Sequence, residues 1–295
     1  MSEYILPEGH AKDILTEGCI VLEGGAFRGL YTQGVLDVLM QEDINMSCTI
    51  GVSAGALGGM NYVAGQIGRS ARVNLRYRHD SDYIGIGALK RDHGITGFSY
   101  LFNEISWQDP LDMERFNDPR RRFVVTATDI ETGENEFFEK GICSDMFTAC
   151  AASASVPYIS EAVELEGGRY LDGGIACRIP FQWALDQGYE KVIVVRTRDK
   201  DYRKRIHMPL NLTRVEYHRY PALKAALDEE SARYNVLLDR LDMLEESGRI
   251  FVITPSQPVE IKRFEGNLDA LYELYQLGRK DAEERLAELK AYLNR

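Results

Sequence analysis

The sequence predicts an α/β fold built on a mostly parallel sheet. Three observations predict it. The first 65 residues spell strand, helix, strand, helix, which is how a parallel sheet with crossover helices begins. Two further strongly apolar runs, Arg121–Thr128 (RRFVVTAT) and Lys191–Arg196 (KVIVVR), supply more strands of buried type. The length of 295 residues suits one large domain, or one domain with a small appendage.

Taken in order, Cys19–Leu22 (CIVL) reads as a buried strand entering the turn Glu23-Gly24-Gly25. Leu30–Met40 places Leu30, Val35, Leu36, Val38 and Leu39 at amphipathic-helix spacing. Thr49–Val52 is a second strand leading to Ser53, and the small-residue stretch Ala54–Ala64 is a tightly packed helix. Residues 66–118 mix Arg69, Arg72, Arg76, Arg78, Lys90 and Arg91 with aromatics such as Tyr77, Tyr83 and Trp107. Helices packed on a core are expected there, with a lid or lipid-facing surface as the alternative. The run Arg120-Arg121-Arg122 is expected to be a solvated turn before its strand, and Glu136–Phe138 a hairpin partner.

Met146–Ala154 is a small-residue helix ending near Pro157. Ala162–Glu166 and Arg169–Leu171 flank Gly167-Gly168 as a hairpin whose second arm runs into Asp172-Gly173-Gly174. Pro180–Gln187 reads as a helix. The tail then turns charge-rich, with helical patterns over Pro221–Ser247 and Gly266–Asn294 and the strand Arg249–Thr254 between them. Leu268, Leu271, Leu274, Tyr275, Ala282, Leu286, Leu289 and Leu293 form one stripe, expected to pack on the sheet.

Composition narrows the function. Hydrophobic residues make up 44% and charged residues 27%, as in soluble globular proteins, and the net charge is −11. Such a charge disfavours nucleic acid as a partner and broad adhesion to anionic membranes. The basic cluster Arg196, Arg198, Lys200, Arg203, Lys204 and Arg205 is the exception: a solvated loop by default, a contact for anionic headgroups as the alternative. The five cysteines are widely spaced without a C-x-x-C, so reduced thiols are expected, with no metal and no cofactor. With neither a signal pattern nor an apolar run of 18 residues, a cytoplasmic protein is expected, at most peripheral to the inner face of the membrane. An oligomer is compatible with the amphipathic last helix.

Three motifs carry chemistry. Gly51-Val52-Ser53-Ala54-Gly55 is G-x-S-x-G set between an apolar strand and a small-residue helix, the context of a nucleophile elbow. Only small residues fit around so sharp a turn. The serine hydroxyl is lifted to the helix N-terminus, where negative charge is favoured. Gly24-Gly25-Ala26-Phe27-Arg28-Gly29 also joins a strand to a helix. It lacks the G-x-G-x-x-G pattern and the Gly-Lys-Ser/Thr ending of phosphate loops. Its free N–H groups can instead hold an oxyanion, with Arg28 adding positive charge or holding a substrate phosphate. Asp172-Gly173-Gly174 is by itself a common turn.

Together these motifs resemble the patatin-like phospholipases and their bacterial relatives over roughly residues 18–200. Residues 201–295 look like the C-terminal helical extension of a bacterial subgroup, packed on the same sheet. Ala152-Ser153-Ala154-Ser155-Val156-Pro157 is similar to a fourth family segment, with Pro157 as its supporting proline. The resemblance implies a three-layer α/β/α fold and hydrolysis of lipid carboxylic esters by a Ser53–Asp172 dyad. Gly24, Gly25, Ala26, Arg28 and Gly29 would form the oxyanion loop. Gly51, Ala54 and Gly55 would shape the elbow, and Gly173 and Gly174 would support the aspartate. Ala26 departs from the family's third glycine and keeps its N–H; Ser155 departs by one small residue. Two other readings remain: a Ser53, Asp172 and His207 or His218 triad of α/β-hydrolase type, and a lipid- or acyl-binding regulatory protein with a degenerate site.

Overall fold

The computed structural model describes residues 4–206 and 217–295. The strands are β1 (Gly9–His10), β2 (Thr16–Leu22), β3 (Met46–Val52), β4 (Gln66–Ile67), β5 (Arg122–Asp129), β6 (Asn135–Glu139), β7 (Val163–Leu165), β8 (Gly168–Asp172), β9 (Val192–Val195) and β10 (Phe251–Ile253). The longer helices are α1 (Gly29–Gln41), α2 (Ala54–Val63), α3 (Arg69–Tyr77), α4 (Ile86–Asp92), α5 (Met113–Phe116), α6 (Met146–Ser153), α7 (Phe181–Asp186), α8 (Pro221–Glu246) and α9 (Leu268–Leu293). The main sheet runs β10-β9-β2-β3-β5-β8-β7, with β6 on β5 and the pairs from β10 to β5 all parallel. This is the α/β architecture the sequence predicts. The two-residue strands β1 and β4 pair separately and were invisible to pattern reading, being too short to show a period.

Alternate residues of β2 and β9 face opposite layers, because strand side chains alternate. Ile20, Leu22, Ile193 and Val195 pack against α1 and α9, through residues such as Leu36, Leu39, Leu271 and Tyr275. Cys19, Val21, Val192 and Val194 pack against α7 and α8, through Phe181, Tyr234, Leu238 and Leu241. Three layers result. A Cβ on Gly34 would overlap the Tyr275 carbonyl, and one on Gly278 the Tyr31 carbonyl, so α1 and α9 cross at their glycines. Across that crossing Tyr275 Oη donates to the buried Asp37 at 2.7 Å.

Two expectations need correction. Arg121 is not solvated but 2% exposed, bonded to Asp13 at 2.9 Å, while Arg122 pairs with Glu139 at 2.6 Å. Strand β5 draws these arginines into its flank, where carboxylates from distant segments meet them. The basic run 196–205 is likewise no free patch. Arg196 is 1% exposed, Lys200 pairs with Glu245 at 3.2 Å, and Arg203 meets Asp239 and Asp242 of α8 at 2.9 and 2.8 Å. Acidic residues of α8 neutralise most of the run. In the 66–118 region Arg69 and Arg72 converge on Asp109, and Tyr77 and Tyr83 are buried, whereas Trp107 is exposed. Among the described residues no helix is long and apolar enough to cross a membrane.

Candidate active site

Strand pairing creates the site. Val52, the last residue of β3, pairs with Thr126 of β5, and the next residue of β5, Ala127, pairs with Asp172. Both Thr126 and Ala127 give their other edge to β6. β3 and β8 therefore occupy the same edge of β5 and meet end to end. The residue that follows β3 and the residue that ends β8 are forced together. Ser53 Oγ donates to Asp172 Oδ2 at 2.8 Å across 119 residues of sequence.

The backbone at Ser53 has φ 54° and ψ −122°, a sparsely populated conformation for a residue with a side chain. It persists because its surroundings fix it. A Cβ on Gly51 would overlap the Ala56 backbone, and one on Gly55 the Leu22 and Glu23 carbonyls. Helix α2 begins at Ala54, and its first turn closes on the Ser53 carbonyl through Ala56 N–H (2.9 Å) and Leu57 N–H (3.1 Å). Ser53 N–H itself donates to Ser153 Oγ at 2.8 Å.

Asp172 is held from three directions. Its Oδ1 accepts from Gly174 N–H at 2.8 Å, its N–H donates to the Ser155 carbonyl at 2.8 Å, and its carbonyl accepts from Thr128 Oγ1 at 2.9 Å. Gly173 is needed here because a Cβ would overlap the Thr126 carbonyl. Burial raises the Asp172 pKa above the ordinary carboxylate value. Gly174 N–H, the Ser53 hydroxyl, Arg178 and Arg263 oppose that rise without cancelling it.

The glycine loop forms the facing wall. Gly24 lies so near Ser53 that a Cβ would stand 3.1 Å from the Ser53 Cβ, and one on Gly29 would stand 3.0 Å from the Ala54 Cβ. Gly25 has an extended φ of −178°, and Ala26 takes φ 48° in the left-handed region. The alanine at the departing position thus accepts a conformation that glycine adopts more easily. Neither the Gly25 nor the Ala26 N–H donates to another group among the described residues. Gly24, Gly25, Ala26, Arg28, Ser53, Pro157, Asp172 and Gly174 share one cavity of about 310 Å³. A second hollow of about 60 Å³ lies behind Ala26 and Ala54, with Leu57, Met60, Phe102 and Phe147 in its wall.

Of the two candidate histidines, His207 lies outside the described residues, and His218 sits on the turn before α8. The fourth family segment supplies two braces, and two further residues at the site, Glu23 and Arg178, were given no role from sequence. Ser153 and Ser155 brace the Ser53 and Asp172 backbones from the segment that precedes Pro157. Glu23, 1% exposed, accepts from Thr197 N–H (2.5 Å), Thr197 Oγ1 (3.1 Å) and Tyr234 Oη (2.5 Å). Its signal was an acidic residue directly after the apolar run Cys19–Leu22. Arg178, just past the D-G-G turn, meets Glu230 of α8 at 2.6 Å. Burial lowers the pKa of that guanidinium, but the Glu230 carboxylate outweighs it and the net shift is upward.

A family model described as "Domain of unknown function" matches residues 220–294. The chain is 27% identical over 270 residues to the uncharacterized protein YjjU of Escherichia coli (strain K12), covering 88% of this chain and 74% of that protein. It is 25% identical over 211 residues to the probable lipid hydrolase 463L of Invertebrate iridescent virus 6, covering 64% and 72%. The crystal structure of VipD from Legionella pneumophila aligns over 95% of this chain and 68% of VipD, at 13% identity and a TM-score of 0.46. The family model "Patatin-like phospholipase" matches residues 20–185, more than half of the sequence. This chain therefore belongs to the patatin-like phospholipase family.

Proposed function

We propose that the protein is a serine acyl hydrolase that cleaves carboxylic esters of lipids with a Ser53–Asp172 dyad. The observation that carries this reading is the 2.8 Å hydrogen bond from Ser53 Oγ to Asp172 Oδ2, in a cavity edged by unused N–H groups. The contact is direct, with no imidazole between hydroxyl and carboxylate. That favours a dyad over a histidine triad.

In this mechanism Ser53 Oγ attacks the acyl carbonyl while its proton passes to Asp172 Oδ2. The tetrahedral oxyanion faces the N–H groups of Gly25 and Ala26, with Ala54 N–H at the start of α2 as a third donor. When the intermediate collapses, the bond to the alcohol breaks and Asp172 returns the proton to the leaving oxygen. Water then attacks the acyl-serine, gives its proton to Asp172, and releases the acid as Ser53 regains its hydrogen. The hollow behind Ala26 and Ala54 receives the start of the acyl chain.

The test is labelling by a serine-directed fluorophosphonate, together with hydrolysis of p-nitrophenyl esters and lipids. The expected result is labelling and turnover by the wild type, with both abolished in Ser53→Ala. A wild type that is neither labelled nor active, with Ser53 accessible, would favour the lipid-binding reading.

The pH dependence carries a sign. As base, Asp172 must be ionised, and its pKa is raised by burial. The acid limb of kcat/KM is therefore expected above the ordinary carboxylate pKa of about 3.9, with activity rising as pH rises through it. A limb at or below that value in wild-type enzyme would contradict a desolvated aspartate base.

A further inference from the structure

A third pocket, of about 160 Å³, adjoins the cavity that holds the dyad, and its walls include Arg28, Arg178, Arg198, Lys204 and Arg263. We infer that this pocket is an anion subsite, built to seat the phosphate of an acyl substrate whose ester lies at Ser53. The inference rests on the hydrolase reading for its substrate, but not for the binding of phosphate.

Charge accounting is the first argument. In a chain of net charge −11, most of the basic side chains of the 196–205 run are matched to carboxylates of α8. Arg28, Arg198 and Arg263 are not: none has an ion-pair partner among the described residues. Arg178 and Lys204 share a single carboxylate, that of Glu230. Glu230 stands outside the pocket's wall, and the carboxylate within it, Glu23, has its oxygens committed to Thr197 and Tyr234. Five basic groups thus face one pocket against two carboxylates.

Arg28 supplies the second argument. It is 8% exposed, and its buried Nε has no hydrogen-bond partner. Burial, reinforced by Arg198 and Arg178, lowers its pKa to about 10, which leaves it charged at neutral pH. An unpaired buried charge is strongly unfavourable, and a bound anion repays it. Lys204 is lowered to about 8, by burial and then by Arg178. Guanidinium forks match the oxygens of a phosphate group.

Position is the third. Arg28, Arg178, Lys204 and Arg263 line both this pocket and the cavity that holds Ser53 and Asp172. They come from four separate stretches: the glycine loop, the turn after β8, the loop after β9 and the segment before α9. An anion held here lies against the same four side chains that border the ester-cleaving end. The subsite therefore selects acyl esters that carry a phosphate.

The experiment has a binding arm and a kinetic arm, run on the full chain. Calorimetry with glycerol 3-phosphate, inorganic phosphate and glycerol is expected to show binding of the first two and none of the third. In Arg198→Gln/Arg263→Gln, phosphate affinity is expected to fall about tenfold or more. Arg203→Gln, from the same run but bonded to α8, is expected to bind as the wild type does, and melting curves confirm that each variant is folded. Kinetically, the kcat/KM ratio of 1-acylglycerol 3-phosphate to 1-acylglycerol is expected to exceed ten in the wild type and to collapse towards one in the double variant. No binding of either phosphate overturns the subsite. Phosphate binding with an unmoved substrate ratio identifies a free-anion site and overturns the headgroup assignment. If neither ester is hydrolysed, the hydrolase reading fails, and the binding arm alone decides the pocket.

Discussion

Replacing Asp172 with asparagine is expected to lower kcat for ester hydrolysis about a thousandfold while leaving the protein folded. Asparagine has nearly the same shape. Its carbonyl oxygen can still accept from Gly174 N–H, which now bonds Asp172 Oδ1 at 2.8 Å. What it cannot do is take the proton from Ser53 Oγ. The Gly25 and Ala26 donors remain, so residual turnover above the uncatalysed rate is expected from oxyanion stabilisation. Ser53→Ala should be at least as severe. The double variant should lose little more, because two groups that act on one proton are not additive. Stability should move the other way. The folded-state pKa of Asp172 is raised by burial, so its ionised form is disfavoured in the native protein. That penalty is absent below the ordinary carboxylate pKa and grows as pH rises through the folded value. At pH 7 the neutral asparagine escapes it, and the melting temperature is expected to match or exceed that of the wild type. Single-turnover kinetics and thermal melts check both halves. Wild-type kcat in Asp172→Asn would remove the dyad.

The second large effect concerns Glu23, which stands outside the Ser53–Asp172 dyad. Glu23→Ala is expected to destabilise the protein by about 3 kcal/mol, roughly 6 °C in melting temperature. The reason is the set of donors it satisfies. Thr197 N–H and Oγ1 belong to the chain just after β9, and Tyr234 Oη belongs to α8. Each would be left buried without an acceptor. Glutamine keeps one carbonyl oxygen and should recover part of the loss. Glu23 also immediately precedes the glycine loop. Loosening it should let Gly25 and Ala26 drift, lowering kcat more than it raises KM. Denaturant titration of the alanine and glutamine variants, beside their kinetics, checks the claim. Equal stability of wild type and Glu23→Ala would show that this junction does not hold the loop.

The amino-acid sequence by itself determined the local pieces. Apolar runs marked β2, β3 and β9, the first of them entering a glycine turn, and helical spacing marked α1, α8 and α9, because periodicity and turn chemistry act between close neighbours in the chain. Ser53 was legible for the same reason: the elbow's steric demand falls on residues within two positions of it. Asp172 was legible only through the ordered family pattern, since D-G-G alone describes a turn.

Tertiary structure decided the rest. β8 takes over the edge of β5 where β3 stops, which brings two residues 119 apart to 2.8 Å. The tertiary fold moved Arg121 from an expected solvated turn into the core beside Asp13, and matched the 196–205 run to the acidic face of α8. It also left Arg28, Arg198 and Arg263 around one pocket without an ion-pair partner among the described residues. None of these facts has a local signature. A charge's partner depends on strand order and helix placement, and those follow from burying the whole set of apolar faces at once.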